Sequence, residues 1–135
     1  MYVGKKVTRV DAYDKVIGRT KYTDDLCDKS AYIAQVLHST IAHGKVASID
    51  VSQAEKIPGV VKVFTCFDIK EKHYFPTAGH PWSTDPGHQD VADRLVLTDE
   101  VRFYGDDIAA VVAEDEVSAA QAIRAIKVEY EEYPF

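Results

Sequence analysis

The chain has 135 residues, 46% of them apolar and 28% charged, with a formal net charge of −6. That suits one globular domain and hardly two. It argues against a nucleic-acid surface, which needs clustered Lys and Arg where here only Lys5-Lys6 are adjacent near the start.

Residues 1–26 are polar and turn-rich. The stretch 7–12 suits an edge strand or an extended arm, and 15–26 a turn at Gly18 followed by an extended piece. Residues 31–38 form a nearly continuous apolar run and read as a central strand. A loop containing Gly44 follows, and 46–51 returns as a strand with Ala47, Ile49 and Val51 on one face. Ser52 and Glu55 match a capping box, so a short helix starts there. Pro58-Gly59 ends it, and 60–64 is another strand.

Residues 67–72 suit a turn of helix. The stretch 73–89 breaks the rhythm: three Pro, two Gly and three His sit with the only Trp. Such a stretch is too rich in Pro and Gly to join a sheet, and a loop of that length inside a small domain is more often functional than a short one. Tyr74, Phe75, His80 and Trp82 are its candidates for a channel lining or an interface, because aromatic rings on loops bury much area at little entropic cost. A loop folded back on its own domain is the alternative. Residues 91–97 then lead back into the sheet.

The rest of the chain is organised around 101–131. The turn Gly105-Asp106-Asp107 leads into the uncharged run 108–113, which suits a strand covered on both faces. Ala119, Ala122, Ile123 and Ile126 fall on one helical stripe, with Asp115 as cap and Glu116 in the first turn. From Ile126 the period becomes two: Ile126, Val128 and Tyr130 alternate with Lys127, Glu129 and Glu131. If the two strands are parallel neighbours, this crossover is right-handed. The expected core is Ile33, Val36, Val61, Val63, Ile108, Val111, Val112, Ala119, Ile123 and Val128.

The residues alone indicate no chemistry. Cys27 and Cys66 belong to no Cys-x-x-Cys pair and read as two reduced core thiols. His38, His43, His73, His80 and His88 lack the spacing of a zinc site. The Asp106-Asp107 pair could serve acid–base work, but an Asp in a turn more simply bonds its own backbone. There is no phosphate loop and no nucleophile elbow. No apolar stretch suits a membrane helix and no signal-peptide pattern follows Met1, so a cytoplasmic chain is expected. No catalytic, cofactor-binding or metal-ligating residue is assigned.

Five motifs in order nonetheless form a pattern over essentially the whole chain: 15–25; His38-Ser39-Thr40-Ile41-Ala42-His43-Gly44 leading into Ile49-Asp50; Pro58-Gly59-Val60-Val61; 103–113; and Val128-Glu129-Tyr130-Glu131. Together they resemble the N-terminal part of the molybdenum-binding subunit of the xanthine dehydrogenase and aldehyde oxidase family. The pieces 77–82 and Asp93-Arg94 look most like bacterial xanthine dehydrogenase subunits. Two triplets depart from the family's pattern: Gly105-Asp106-Asp107 stands for the usual Gly-Glu-Pro, and His38-Ser39-Thr40 for the usual Arg-Ser-Pro.

The resemblance implies an α+β fold, the α/β hammerhead, with a mixed sheet and two helices over residues 1–135 as a single domain. It implies that the chain is the N-terminal fragment of a larger subunit that oxidises purines or aldehydes. Electrons would leave through molybdopterin with its molybdenum, iron–sulfur clusters and FAD, all held outside this chain. The partners implied are the remaining domains of the molybdenum subunit and the iron–sulfur and FAD subunits, with no nucleic acid and no membrane. The family's catalytic Glu and glycine-rich cofactor loops lie in later domains, so the fragment is expected to be inactive alone. The alternative is a stand-alone, non-catalytic binding or assembly domain that reuses the fold.

Overall fold

The computed structural model describes residues 3–69, 71–76, 87 and 91–134. They fall into two compact units, Met1–Ala31 and Tyr32–Phe135.

The first unit contains two short helices, α1 (Ala12–Val16) and α2 (Thr23–Leu26), neither of which buries a residue. The strand or extended arm expected over 7–12 gives way to a turn entering α1. Asp11 pairs there with Arg9 and, at 3.0 Å, with Lys15 one helical turn on. Gly18 makes the expected turn at φ +71°. The piece after it is one turn of helix rather than extended, with the Asp25 carboxylate accepting the Tyr22 N–H at 3.0 Å. Cys27, expected in a core, is exposed.

The second unit is built on antiparallel pairs. One sheet has the order β1 (Ile33–His38), β7 (Asp107–Ala113), β3 (Val60–Thr65). The other has the order β6 (Glu100–Val101), β2 (Gly44–Asp50), β8 (Lys127–Glu132). A two-stranded ribbon joins β4 (Phe75–Pro76) to β5 (Ala92–Arg94). Every described pair is antiparallel, so two sheets and a ribbon replace the single mixed sheet expected. The reason lies in the connection through α3 (Glu116–Ala125): it carries the chain from β7 in one sheet to β8 in the other. The two strands are never neighbours, and the handedness rule for parallel crossovers does not apply.

The apolar run 108–113 is the central strand, as its composition predicts, while 33–38 lies at the edge. Both are apolar, but only β7 has strands on both sides. Asp115 caps α3, accepting the Ser118 N–H at 2.8 Å and its hydroxyl at 2.9 Å. The backbone bond and then the hydroxyl hold the Asp115 carboxyl below its ordinary range. Ser118, Ala119 and Ala122 are buried beneath the helix, small enough to let its axis approach the sheet. From Ile126, the C-cap of α3, into β8, Ile126, Val128 and Tyr130 point inward and Lys127, Glu129 and Glu131 outward, as the period predicts.

Two apolar clusters form the core. One gathers Ala54, Val63, Val111, Ala113, Ala119, Ala122 and Ile126; the other gathers Ile41, Val46, Cys66, Leu97, Val101 and Ile108. Of the expected core, Ile108, Val111, Val63 and Ala119 are buried. Ile33, Val112, Ile123 and Val128 are half-buried, and Val36 and Val61 are exposed. Val36 faces away from α3, and Val61 is the extra residue of a bulge between Val60 and Lys62.

A second bulge, in β2, changes the face expected there. Val46 opposes Tyr130 and Ser48 opposes Glu129, leaving Ala47 as the extra residue. Val46 is therefore buried and Ala47 exposed, while Ile49 and Val51 keep their inward side. The expected capped helix at 52–57 is only a 3₁₀ turn, Ala54–Lys56, without a side-chain cap. The Ser52 N–H donates instead to Asp50 at 2.9 Å, an arrangement within the preceding turn. Gly44 is required by close approach: a β-carbon would overlap the Glu131 carbonyl oxygen and stand 2.8 Å from Ile41 Cδ1.

Candidate functional site

The connection from β6 into β7 is tied down by two buried polar side chains, Ser39 and Asp106. The backbone turns at Gly105, at φ +107°, a conformation that suits Gly. One Asp106 oxygen accepts the Arg102 N–H at 2.7 Å and the Phe103 N–H at 3.2 Å. Its other oxygen accepts from Arg94 Nη1 at 2.9 Å. Ser39, just past β1, donates its hydroxyl to the Phe103 carbonyl at 3.1 Å. The same hydroxyl accepts the Gly105 and Asp106 N–H groups, each at 3.1 Å. Among the described residues no buried side-chain polar atom lacks a partner, as a dry interior requires.

This knot forms one side of a cleft of about 200 Å³. Tyr74 and Phe75 stand on another side, with Arg94, Asp99, Arg102 and Phe103 completing the wall. The Arg94 guanidinium lies 4.5 Å from the centre of the Phe103 ring, a cation–π contact. Arg102 pairs with Asp93 at 3.1 Å, and Lys72 with Asp99 at 3.1 Å. Burial pushes the Asp99 carboxyl up, but the hydrogen bond and charge of Lys72, with help from its own backbone and Lys45, bring it below its ordinary range. The same hydrogen bond to Asp99 raises Lys72. Aromatic walls beside a guanidinium can hold a flat ring or an aromatic side chain by stacking. Among the described residues of the cleft, Asp93, Asp99 and Asp106 are paired with Arg102, Lys72 and Arg94.

Tyr74 and Phe75, two of the expected loop residues, do line this cleft and are 52% and 42% exposed. Phe75 also pairs with Arg94 in the β4–β5 ribbon, so this part of the loop does join a sheet. His80 and Trp82 lie outside the described residues. The turn reading of Asp106 holds, because its carboxylate bonds backbone three and four residues back. Asp107 opens β7 and contacts His38 Nδ1 at 2.8 Å. His43 Nδ1 contacts the Pro134 carbonyl at 2.9 Å, and its ring meets Tyr133 edge-on. The contacts made by these two histidines serve to join distant parts of the chain. Ser39, Arg94 and Phe103 were not legible as site residues. The one signal was an Arg set among the mostly apolar residues before 98.

A small second hollow is lined by Cys66, Leu95, Leu97 and Lys72. Burial, and then the nearby Asp99 charge, push the Cys66 thiol up to about 11. It is therefore not a reactive thiolate at neutral pH.

Comparison with known proteins gives one consistent result. Residues 17–134 match the sequence model of the "Aldehyde oxidase and xanthine dehydrogenase, a/b hammerhead domain" family. The chain is 45% identical over 126 residues to a xanthine dehydrogenase molybdenum-binding subunit of Escherichia coli O157:H7, covering 93% of this chain and 17% of that one. It is 36% identical over 135 residues to the carbon monoxide dehydrogenase large chain of Afipia carboxidovorans, covering 98% of this chain and 15% of that one. Among solved structures, quinoline 2-oxidoreductase from Pseudomonas putida 86 superposes with a TM-score of 0.78 at 31% identity, over 99% of this chain and 17% of that chain. The chain thus spans about a sixth of the length of such relatives.

Proposed function

The chain belongs to the aldehyde oxidase and xanthine dehydrogenase family, as its a/b hammerhead domain, and on that basis we propose that it is the hammerhead domain of a purine-oxidising molybdenum hydroxylase of xanthine dehydrogenase type. The observation that carries the purine reading is the 45% identity, over 93% of the chain, to a xanthine dehydrogenase subunit. The remaining domains of the molybdenum subunit and separate iron–sulfur and FAD subunits are the partners. The compartment is the cytoplasm, where the free thiols Cys27 and Cys66 stay reduced.

The cleft residues do not fit a molybdenum cofactor. Asp99 and Asp106 are held by Lys72 and Arg94, and among the described residues no group of three or more His, Cys, Asp or Glu could hold a metal ion. The domain's part is positional: Tyr74 and Phe75, presented by the β4–β5 ribbon, border the path by which a flat substrate reaches a centre carried elsewhere. Support for this comes from their exposure and from the Arg94–Phe103 pair beside them.

The test is turnover by the complete enzyme that contains this chain, assayed in parallel with xanthine, aldehydes and carbon monoxide. Xanthine is the expected substrate. Turnover of aldehydes or carbon monoxide without xanthine overturns the purine reading. With xanthine as substrate, Phe75→Ala is expected to raise KM more than it lowers kcat, as loss of a binding wall would.

A further inference from the structure

β4 and β5 are two and three residues long, and among the described residues they pair with each other and with no further strand. A ribbon of that size is marginal by itself, so its place depends on side chains that tie it to the body. Two adjacent residues of β5 do this. Asp93 Oδ2 accepts from Arg102 Nη1 at 3.1 Å. Arg94 Nη1 donates to Asp106 at 2.9 Å, and its guanidinium lies 4.5 Å from the centre of the Phe103 ring. The approach to β4 is held as well, by Lys72 on Asp99 at 3.1 Å.

The charges are crossed. β5 offers a carboxylate and then a guanidinium, while the stretch 102–106 offers a guanidinium at its start and a carboxylate at its end. Exchanging the partners would set Asp93 on Asp106 and Arg94 on Arg102, like on like, which is unfavourable. The arrangement therefore specifies one docking of β5 on that stretch. Phe75 opposes Arg94 across the ribbon, and directly opposed residues of antiparallel strands point to the same side. Fixing Arg94 thus fixes Phe75, which stands with Tyr74 on the wall of the cleft.

We infer that Asp93, Arg94, Arg102 and Asp106 form a crossed latch that holds the aromatic wall of the cleft in place, and that Asp93 and Arg102 are thereby positioning residues for the passage of substrate. This rests on the proposed reading of the cleft as a border of the substrate path. The outer pair, Asp93–Arg102, is the half that can be altered safely, since its side chains are 50% and 48% exposed. The inner pair ends on the buried carboxylate that also holds the Arg102 and Phe103 N–H groups. Loosening the outer pair therefore shifts the wall and leaves the turn at Gly105 folded.

The experiment is a double-mutant cycle in the complete enzyme that contains this chain: Asp93→Asn, Arg102→Gln and both together. Arg102 also reaches Glu100 at 3.7 Å, so the cycle and not one variant carries the test. Amide hydrogen exchange of 72–75 and 92–95 reads the latch without any substrate, and steady-state kinetics on xanthine read its effect on the path. Each single variant is expected to speed exchange in the ribbon and to raise KM by roughly two- to fivefold, the range that an exposed ion pair supports, with kcat little changed. The double variant is expected to do no more than the worse single one, and Arg102→Lys, which keeps the charge, to stay near wild type. Unchanged exchange, or effects of the two single variants that simply add, overturns the latch. Phe75→Ala separates this failure from that of the reading beneath it. A raised KM in Phe75→Ala with none in Asp93→Asn or Arg102→Gln sinks the positioning role alone. An unchanged KM in all three sinks the path reading, and the proposal with it.

Discussion

Arg94 Nη1 lies 2.9 Å from Asp106 Oδ1 and joins the β4–β5 ribbon to the entrance of the central strand. Asp106 is 96% buried, while the Arg94 side chain keeps 29% of its exposure. The pair is thus half inside the protein, and its carboxylate end is also the anchor of the Arg102 and Phe103 backbone.

Removing that carboxylate takes away the acceptor of the Arg102 and Phe103 N–H groups and the Asp106 end of the pair with Arg94. Asp106→Ala is expected to destabilise the chain by about 2–4 kcal/mol in urea unfolding, the range for losing charge-assisted bonds at a mostly buried site. Asp106→Asn, which keeps acceptor capacity, is expected to cost less. Equal losses for the two would show that the charge and not the backbone capping is what matters.

The core assignment is tested by a contrast between two valines. Val111 is fully buried in the central strand, and Val111→Ala is expected to cost roughly 2–4 kcal/mol. Val61, on the β3 bulge, is 48% exposed, so Val61→Ala is expected to stay within about 0.5 kcal/mol. Denaturant midpoints with unchanged slopes are the readout.

Gly44 stands where β2 passes closest to β8. Gly44→Ala pushes a methyl group into the Glu131 carbonyl, a backbone atom that cannot swing aside. Loss of the cooperative thermal transition, or a fall of many degrees in Tm, is the expected outcome. A wild-type Tm would mean that the two strands do not approach as described.

Acid should weaken the fold through a few carboxylates. Asp68, Asp99 and Asp115 are held below their ordinary value of 3.8: Asp68 chiefly by the Thr65 N–H, Asp115 chiefly by the Ser118 N–H, and Asp99 by Lys72 against the opposing effect of burial. A group depressed in the folded state contributes stability above its unfolded value and loses it as pH falls through the folded one. Stability is therefore expected to be level above about pH 5 and to fall below that. Asp99→Asn should flatten part of that acid limb, measured by urea unfolding at a series of pH values.

The two thiols should separate by reactivity. Cys27 is exposed, whereas Cys66 is buried and pushed up to about 11. At neutral pH a maleimide is expected to label Cys27 rapidly and Cys66 only on unfolding. Peptide mapping of the labelled native chain decides it.

Much of the fold is local and was therefore written in the sequence. Alternation in 126–131, the alanine stripe of 119–126 and the Asp115 cap depend on neighbours a few residues apart, where period and propensity act directly. The uncharged run 108–113 declared a strand needing cover, and the ordered motifs over the whole length declared the family. What the sequence could not declare was which side of each strand that cover would come from. A bulge at Ala47 shifts the inward face of β2, and one at Val61 exposes a residue that alternation would bury. Each is decided by register against a partner strand distant in the chain.

The same distinction explains the cleft. Tyr74 and Phe75 drew attention because aromatic side chains among prolines are visible in one dimension. Ser39, Arg94, Phe103 and Asp106 form one bonded group only because β1, β5 and the start of β7 converge, across separations as large as 67 residues between Ser39 and Asp106. Hydrogen bonds over such distances follow from strand order: β1 pairs with β7, which brings Ser39 beside Asp106. Composition and period determined the elements, and the resemblance of the ordered motifs pointed to the family; only the packing of two sheets decided the partners of each buried charge, because a carboxylate leaves water only where cations and N–H groups already point at it.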